Sequence, residues 1–173
     1  MRSLAQVRVL IVGWKPNSNQ FLRSVLASLG LPSFTRLLRS DEALSLLREQ
    51  GFELVICTED AEPLPPAKFT QALRRDSYSR DPTVPVIVIT SSITLKDFQT
   101  LRDAGADDIM CPPMSAESIE KRLQRLLLQP RKYVNSKAFL GPERRRGPRE
   151  FAGDERRHGD EAIFYQPPRA KKD

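Results

Sequence analysis

The chain has 173 residues and a formal net charge of +6 at pH 7, enough for one domain of about a hundred residues and a shorter additional segment. It contains no apolar run long enough to cross a membrane and no signal-peptide pattern, so we expect a cytoplasmic protein. The charge is uneven, because residues 1–129 carry 16 Lys/Arg and 15 Asp/Glu, whereas residues 130–173 carry 12 and 7. The second segment is therefore the basic one.

Short apolar runs alternate with amphipathic stretches along residues 5–129. Three runs are almost wholly apolar, as expected of strands buried on both faces; they are VRVLIV at 7–12, FELVIC at 52–57 and VPVIVIT at 84–90. Weaker strands are predicted at SFTRLL and DDIMC. A helical pattern follows each strand, with Ser40 and Ser115 as two of the predicted N-caps. Five βα units predict an α/β fold, a parallel sheet covered by helices on both faces.

Residues 130–173 lose this periodicity. Five prolines, four glycines and many charges replace the apolar stripe, and such a composition buries too little apolar surface to offset the entropy of ordering the chain. We therefore predict two regions, a folded domain at 5–129 and a largely disordered basic tail at 130–173.

Four stretches of the first region resemble the receiver domain of two-component response regulators, the CheY-like family. They are VRVLIV, SDEALSLLREQGFELVI, VPVIVITSS and LRDAGADDIMCPPMS. The resemblance implies a flavodoxin-like five-stranded sheet of order 2-1-3-4-5. It also implies a role in a signalling phosphorelay, as a protein that is not itself an enzyme.

The phosphorylation residues of that family are missing from the positions where the resemblance places them. Receivers hold Mg²⁺ with an acidic pair after the first strand and an acceptor aspartate after the third, and a hydroxyl and a lysine hold the phosphoryl oxygens. The corresponding residues here are Gly13 and Trp14, then Thr58, with Thr90 as the one matching hydroxyl and Pro112 in place of the lysine. The chain is therefore predicted to be a pseudo-receiver that binds no Mg²⁺ and has no metal site or catalytic residue.

Neighbouring residues leave two questions open. Glu59 and Asp60 are the nearest carboxylates to Thr58, but Glu59 is expected on the opposite side of the strand and Asp60 in the loop beyond it. The ring of Trp14 either covers the vacant pocket or belongs to a surface for a partner or ligand. The position of the family's aromatic switch residue is occupied by Ile109, which further weakens a phosphorylation switch.

Both cysteines are predicted to be small buried hydrophobic residues. Cys57 and Cys111 match no metal-binding spacing and no disulfide framework. In the strand order implied by the resemblance, one strand lies between them, a separation too large for a disulfide bond.

The basic tail carries the same motif twice. F-x-G-x-E-R-R occurs at 139–145 and again at 151–157; we call the two copies together the twin motif. An arginine guanidinium matches the O6 and N7 acceptors of guanine and also clamps phosphates, while a carboxylate accepts hydrogen bonds from guanine N1 and N2. Glycine allows close backbone approach, and phenylalanine can stack on a base. A duplicated motif suits a symmetric ligand with two guanines and two phosphates, which is cyclic di-GMP.

The arrangement also resembles the Cle class of CheY-like proteins, in which an arginine-rich extension of a receiver binds cyclic di-GMP and then docks on the flagellar motor. The predicted ligand-binding residues are Arg144, Arg145, Arg156 and Arg157, together with Arg146, Arg149, Glu143, Asp154 and Glu155. The expected partners are cyclic di-GMP and a signalling or flagellar protein, with no nucleic acid and no membrane span. Those relatives retain the phosphorylation residues that this chain lacks, so its protein partner is open.

A second interpretation needs no nucleotide. The receiver face would dock on a protein without phosphorylation, and the basic tail would bind RNA, anionic lipid or an acidic protein through charge. The paired glutamates and the twelve-residue period distinguish the two interpretations, because a tail acting through charge alone needs neither.

Overall fold

The architecture comes from a computed structural model that describes residues 7–16, 20–31, 34–129 and 131–144, and the backbone of residues 162–166. The first ten elements alternate strand and helix: β1 Val9–Val12, α1 Gln20–Ser28, β2 Phe34–Leu37, α2 Ser40–Glu49, β3 Leu54–Thr58, α3 Pro66–Arg75, β4 Val86–Ile89, α4 Leu95–Asp103, β5 Asp108–Met110 and α5 Ala116–Leu128. Three further strands follow: β6 Arg131–Asn135, β7 Leu140–Pro142 and β8 Ala162–Gln166.

The first five strands form one parallel sheet of order β2-β1-β3-β4-β5. This confirms the predicted fold class. All residues of β1 and β3 are buried, because helices cover both faces, as expected for continuous apolar strands. One face packs against α1 and α5 around residues such as Ile11 and Leu123, and the other packs against α2, α3 and α4 around Val55 and Phe69.

The two predicted helix caps have different outcomes. The Ser115 side chain accepts a hydrogen bond from Ser118 N and caps α5 as predicted. The predicted cap at Ser40 is wrong, since Arg39 is the N-cap of α2 and makes no side-chain capping bond. The buried Ser40 hydroxyl instead accepts a hydrogen bond from Leu64 N at 2.8 Å, which joins the start of α2 to the loop before α3.

The prediction of a disordered tail is wrong for residues 131–144 and 162–166. The strands β6, β7 and β8 form a second sheet of order β7-β6-β8 with antiparallel pairing. Tyr133 on β6 is fully buried, and Gly141 and Pro142 on β7 are also buried. Composition missed this sheet because Tyr133 is buried by contacts with Asp107 and Arg74 of the first region, whereas the argument from composition considered the segment alone. The division at residues 129 and 130 remains a prediction.

No helix in the described ranges is both long enough and apolar enough to cross a bilayer.

Candidate functional site

The carboxyl ends of β1 and β3 meet where a receiver would carry its phosphorylation pocket. Thr58, the last residue of β3, has only 4% of its surface exposed. Its hydroxyl donates a hydrogen bond of 2.7 Å to the carbonyl oxygen of Gly13. The hydroxyl at the acceptor position is therefore buried and already committed to the backbone of the neighbouring strand.

Gly13 has no room for a side chain. Its φ of 81° lies in the left-handed region, and a Cβ atom would stand 2.4 Å from Thr58 Oγ1 and 2.6 Å from Ala61 N. Its N–H donates to Leu37 O at 2.8 Å, which fixes this turn against β2. A carboxylate at this position would require both a different backbone conformation and a displaced end of β3.

Trp14 points toward β2. Its ring lies 5.7 Å from the ring of Phe34, tilted by 51°, and the Arg36 guanidinium lies 5.6 Å from both ring centroids. Because β1 lies between β2 and β3, these contacts hold the indole on the opposite side of β1 from Thr58. The structure therefore places the indole beside β2 and not over Thr58, and a role of Trp14 in a surface for a partner or ligand stays a prediction.

The two nearby carboxylates are engaged in separate contacts. Glu59 Oε2 lies 2.9 Å from each of three donors, the N–H and hydroxyl of Ser91 and the hydroxyl of Thr90. The Ser91 N–H is the main cause of a lowered pKa for the Glu59 carboxyl, despite a partly opposing effect of burial. Asp60 instead forms an ion pair of 2.6 Å with Lys15. Glu59 thus joins β3 to the loop after β4, while Asp60 joins it to the loop after β1.

Pro112 and Ile109 complete the comparison with a phosphorylation pocket. Pro112 is exposed beyond β5 and offers neither a cation nor an N–H to a phosphoryl group. Ile109 is partly buried and packs against the core on the α2, α3 and α4 side. Among the described residues there is no group of three or more His, Cys, Asp or Glu side chains that could hold a metal ion.

The first copy of the twin motif lies against α4. Arg144 Nη1 forms an ion pair of 2.8 Å with Asp103, and its guanidinium carbon lies 4.8 Å from the centroid of the Phe139 ring. Glu143 donates its backbone N–H to Lys132 O at 2.9 Å. The structure therefore brings together the arginine and phenylalanine of one copy, but it does so on the surface of the first region.

The remaining predicted ligand residues lie outside the described residues. They are Arg145, Arg146, Arg149, Asp154, Glu155, Arg156 and Arg157.

Sequence reasoning missed a buried polar cluster that joins the second sheet to the first region. Asp107 Oδ2 accepts hydrogen bonds from Arg74 Nη2 and Val86 N, each at 2.8 Å. Asp107 Oδ1 accepts from the Tyr133 hydroxyl at 2.6 Å and from Arg131 Nη1 at 3.0 Å. Two cations and a phenol therefore surround one carboxylate that is closed to solvent.

Arg74 uses its whole guanidinium inside this cluster. Its Nη1 donates to the carbonyls of Pro82 and Val84, each at 2.7 Å, while Nε and Nη2 donate to Gly105 O. Burial of a charge is costly unless its hydrogen-bonding groups are satisfied, and these contacts satisfy it. Burial is also the main cause that raises the pKa of Tyr133 well above its ordinary value, and the Asp107 charge adds to it.

The only sequence signal for this cluster was a charged residue on the apolar side of α3. Arg74 occurs one residue after the buried Leu73 and is 4% exposed, but nothing in α3 itself identifies its partners. They come from three other places, the loop before β4, the loop before β5, and β6.

Solved structures similar to this chain include receiver domains. The receiver domain of a sensor histidine kinase from Pseudomonas aeruginosa PAO1, which holds a magnesium ion in its active-site cleft, aligns with a TM-score of 0.60 and 22% identity, covering 69% of this chain and 96% of that one. The chemotaxis protein CheY4 of Vibrio cholerae aligns with a TM-score of 0.60 and 22% identity over 70% of this chain and 98% of that one. The first region has the CheY-like receiver fold.

Sequence comparison also finds curated relatives. The protein named "Probable transcriptional regulator ycf27" of Cyanidium caldarium is 28% identical over 122 residues, which are 70% of this chain and 47% of that protein. The chain thus spans about half the length of this relative. No protein-family model matches the chain. The receiver fold is accordingly established by structure.

Proposed function

We propose that this protein is a signalling module of receiver fold that works without phosphorylation, binds cyclic di-GMP through its arginine-rich extension and passes the signal on by protein contact. The observation that carries the first part is the buried hydrogen bond from Thr58 to Gly13 O. A neutral hydroxyl that is buried and bonded to the backbone is a poor acceptor for a phosphoryl group. No carboxylate follows β1 to hold the Mg²⁺ that would neutralise the transferred charge.

Protein contact is the proposed output because α4 exposes large apolar side chains. Leu95 is 74% exposed and Phe98 is 43% exposed, both on this helix. Asp103, at the end of the same helix, pairs with Arg144 of the twin motif. A ligand that binds Arg144 would therefore break its ion pair with Asp103, at the end of the helix that exposes Leu95 and Phe98.

The chemistry of the twin motif supports cyclic di-GMP as the ligand. Arg144 stacks on Phe139 at 4.8 Å and lies 2.8 Å from the Asp103 carboxylate, so its guanidinium already makes the two kinds of contact, stacking and anion pairing, that a guanine nucleotide would offer. Duplication of the same residue types twelve positions later matches a ligand with two equivalent halves.

Calorimetry of the full-length chain tests the ligand. We expect saturable binding of cyclic di-GMP and little heat from cyclic di-AMP, because adenine lacks the O6 acceptor and the N1 and N2 donors. The double variant Arg156→Lys and Arg157→Lys keeps the charge and removes the planar guanidinium, so affinity for cyclic di-GMP should fall about tenfold or more. Equal binding of the two nucleotides would rule out guanine recognition.

The charge-based alternative predicts a different response to neutralised glutamates. A tail that binds anions by charge alone should bind at least as well after Glu143→Gln and Glu155→Gln, and its affinity should fall steeply with salt. A tail that recognises guanine should lose affinity in the same variant, because the carboxylates accept from the base. Measuring both nucleotides at two salt concentrations separates the two interpretations.

A small-molecule phosphodonor tests the absence of phosphorylation. We expect no gain of a phosphoryl group when the full-length chain is incubated with acetyl phosphate and Mg²⁺ and its intact mass is measured. A phosphorylatable CheY-type receiver treated in parallel is the positive control. Stable phosphorylation of Thr58 would disprove the first part of the proposal.

A further inference from the structure

A cavity lies at the edge of the first sheet, between α1 and β2. It has a volume of about 360 Å³ and is lined by Trp14, Pro16, Gln20, Arg23, Ser24 and Arg36. This volume is within the range of small-molecule sites in proteins. Its lining combines one aromatic ring and two cations with no carboxylate.

The two arginines of this cavity reach it from different elements. Arg23 belongs to α1 and Arg36 to β2. Among the residues that the structure describes, neither guanidinium is paired with a carboxylate, although every arginine of α2, α4 and α5 has such a partner. Two like charges beside one cavity repel each other unless an anion lies between them. The electrostatics of the cavity therefore favour an anionic occupant.

The aromatic part of the cavity is held in a fixed orientation. The Trp14 ring contacts the Phe34 ring at 5.7 Å with a tilt of 51°, and the Arg36 guanidinium lies over both rings, 5.6 Å from each centroid. The part of the indole that lines the cavity can stack on a nucleobase, and the guanidinium over it can pair with a phosphate. The Ser24 hydroxyl already donates to Gln20 O at 3.1 Å, which leaves its oxygen as an acceptor toward the cavity.

We propose that this cavity binds a mononucleotide, with the base stacked on Trp14 and the phosphate held by Arg23 and Arg36. None of the six lining residues belongs to the twin motif, so this inference does not depend on the proposed function. The cavity and the contact between Arg144 and Asp103 also lie on opposite faces of the first sheet, since α1 packs on one face and α4 on the other.

The chain offers a direct spectroscopic probe, because Trp14 is its only tryptophan. Fluorescence of the full-length chain, excited at the red edge of indole absorption, would be titrated with AMP, GMP, inorganic phosphate and adenosine. We expect saturable quenching by both mononucleotides, weaker binding of phosphate and no saturable effect of adenosine. Equal affinity for phosphate and AMP would reduce the site to a simple anion site and overturn the proposal, as would the absence of any saturable change.

Variants locate the binding site. Arg23→Gln and Arg36→Gln should each weaken AMP binding about tenfold or more, the loss expected for one charge-assisted hydrogen bond. Lys96→Gln removes the same charge from α4 on the opposite face and should leave AMP affinity unchanged. If AMP binds both arginine variants as tightly as it binds the unmodified chain, the nucleotide binds elsewhere and the proposal is wrong. Far-UV circular dichroism of each variant checks that the fold is intact.

Discussion

The hydroxyl of Tyr133 on β6 donates a hydrogen bond of 2.6 Å to the carboxylate of Asp107, the residue immediately before β5 of the first sheet. Tyr133 is fully buried, and the Asp107 side chain is closed to solvent. This contact makes the second sheet part of the folded core at the position where the amino-acid composition predicts disorder.

Replacing Tyr133 by phenylalanine removes the donor and retains the ring. One hydrogen bond to the buried charge of Asp107 is lost, and we expect the free energy of unfolding to fall by about 1.5–3 kcal/mol. Urea denaturation of the full-length chain measures this change. The matched control is Tyr78→Phe, whose side chain is 77% exposed and should leave the unfolding midpoint unchanged. If both variants unfold at the same midpoint as the unmodified chain, Tyr133 contributes packing alone.

Two glycines with positive φ allow the docking of β7 to be measured. A Cβ at Gly105 (φ 97°) would lie 2.7 Å from Leu140 O, whereas a Cβ at Gly30 (φ 72°) would meet no atom within 4 Å. Gly30→Ala should therefore lower the free energy of unfolding by about 1–2 kcal/mol, because alanine is strained in the left-handed conformation but meets no neighbouring atom. Gly105→Ala should cost clearly more, because β7 must also move. If urea denaturation gives the same loss of unfolding free energy for both variants, β7 moves away from residue 105 with little loss of stability.

The two cysteines should differ in reactivity. Burial raises the pKa of the Cys57 thiol and closes its access to reagents, whereas Cys111 is only partly buried. Because the thiolate is the nucleophile, a disulfide reagent should label about one thiol in the native protein and two in urea. Cys111→Ser should abolish the native reaction. Rapid native labelling of that variant would show that the core around Cys57 opens readily.

Acid should weaken the contact between Glu59 and the loop after β4. The folded protein lowers the pKa of Glu59 below its ordinary value of 4.5 through hydrogen bonds from Ser91 and Thr90. The resulting stabilisation is present above the unfolded pKa and is lost as the pH falls through the folded one. Glu59→Gln should thus be less stable than the unmodified chain at pH 7, with the difference shrinking below about pH 4.

An NMR titration provides an independent measurement of the same contact. The Glu59 pKa should rise in Ser91→Ala, which removes the hydroxyl donor, but should stay lowered because the backbone N–H of residue 91 remains. A Glu59 pKa of about 4.5 in the unmodified chain would contradict the hydrogen-bonding arrangement.

The five βα units could be predicted from the sequence because their signals are local. Each central strand, such as Val9–Val12 or Leu54–Thr58, is an apolar run that needs no knowledge of its neighbours to be recognised. The strand order required the resemblance to receivers. The absence of carboxylates at positions 13, 14 and 58 could also be predicted, because the resemblance to receivers gives the positions and the sequence gives the residue types. The lack of room at Gly13 could not, because it depends on the closeness of Thr58 and Ala61.

The second sheet could not be predicted because its core is shared. Tyr133 is one aromatic residue in a polar stretch, and its partners Asp107 and Arg74 lie 26 and 59 positions earlier in the sequence. The composition of a segment includes only the residues of that segment. It takes no account of the residues elsewhere in the chain against which the segment packs. For the same reason, Arg144 could be predicted as a residue of interest, but its ion pair with Asp103 could not.

The geometry of Gly13 also limits any attempt to engineer phosphorylation into this protein. Introducing an aspartate at position 58 alone would remove the threonine oxygen that now occupies the space of a Cβ on residue 13, yet Ala61 N would still stand 2.6 Å from that Cβ and the φ of 81° would still disfavour any side chain. A metal-binding acid could enter there only together with a rebuilt turn after β1 and a shifted loop after β3. A side chain at position 13 alone would therefore lose stability, so an acid at this position and a rebuilt turn would have to be introduced together.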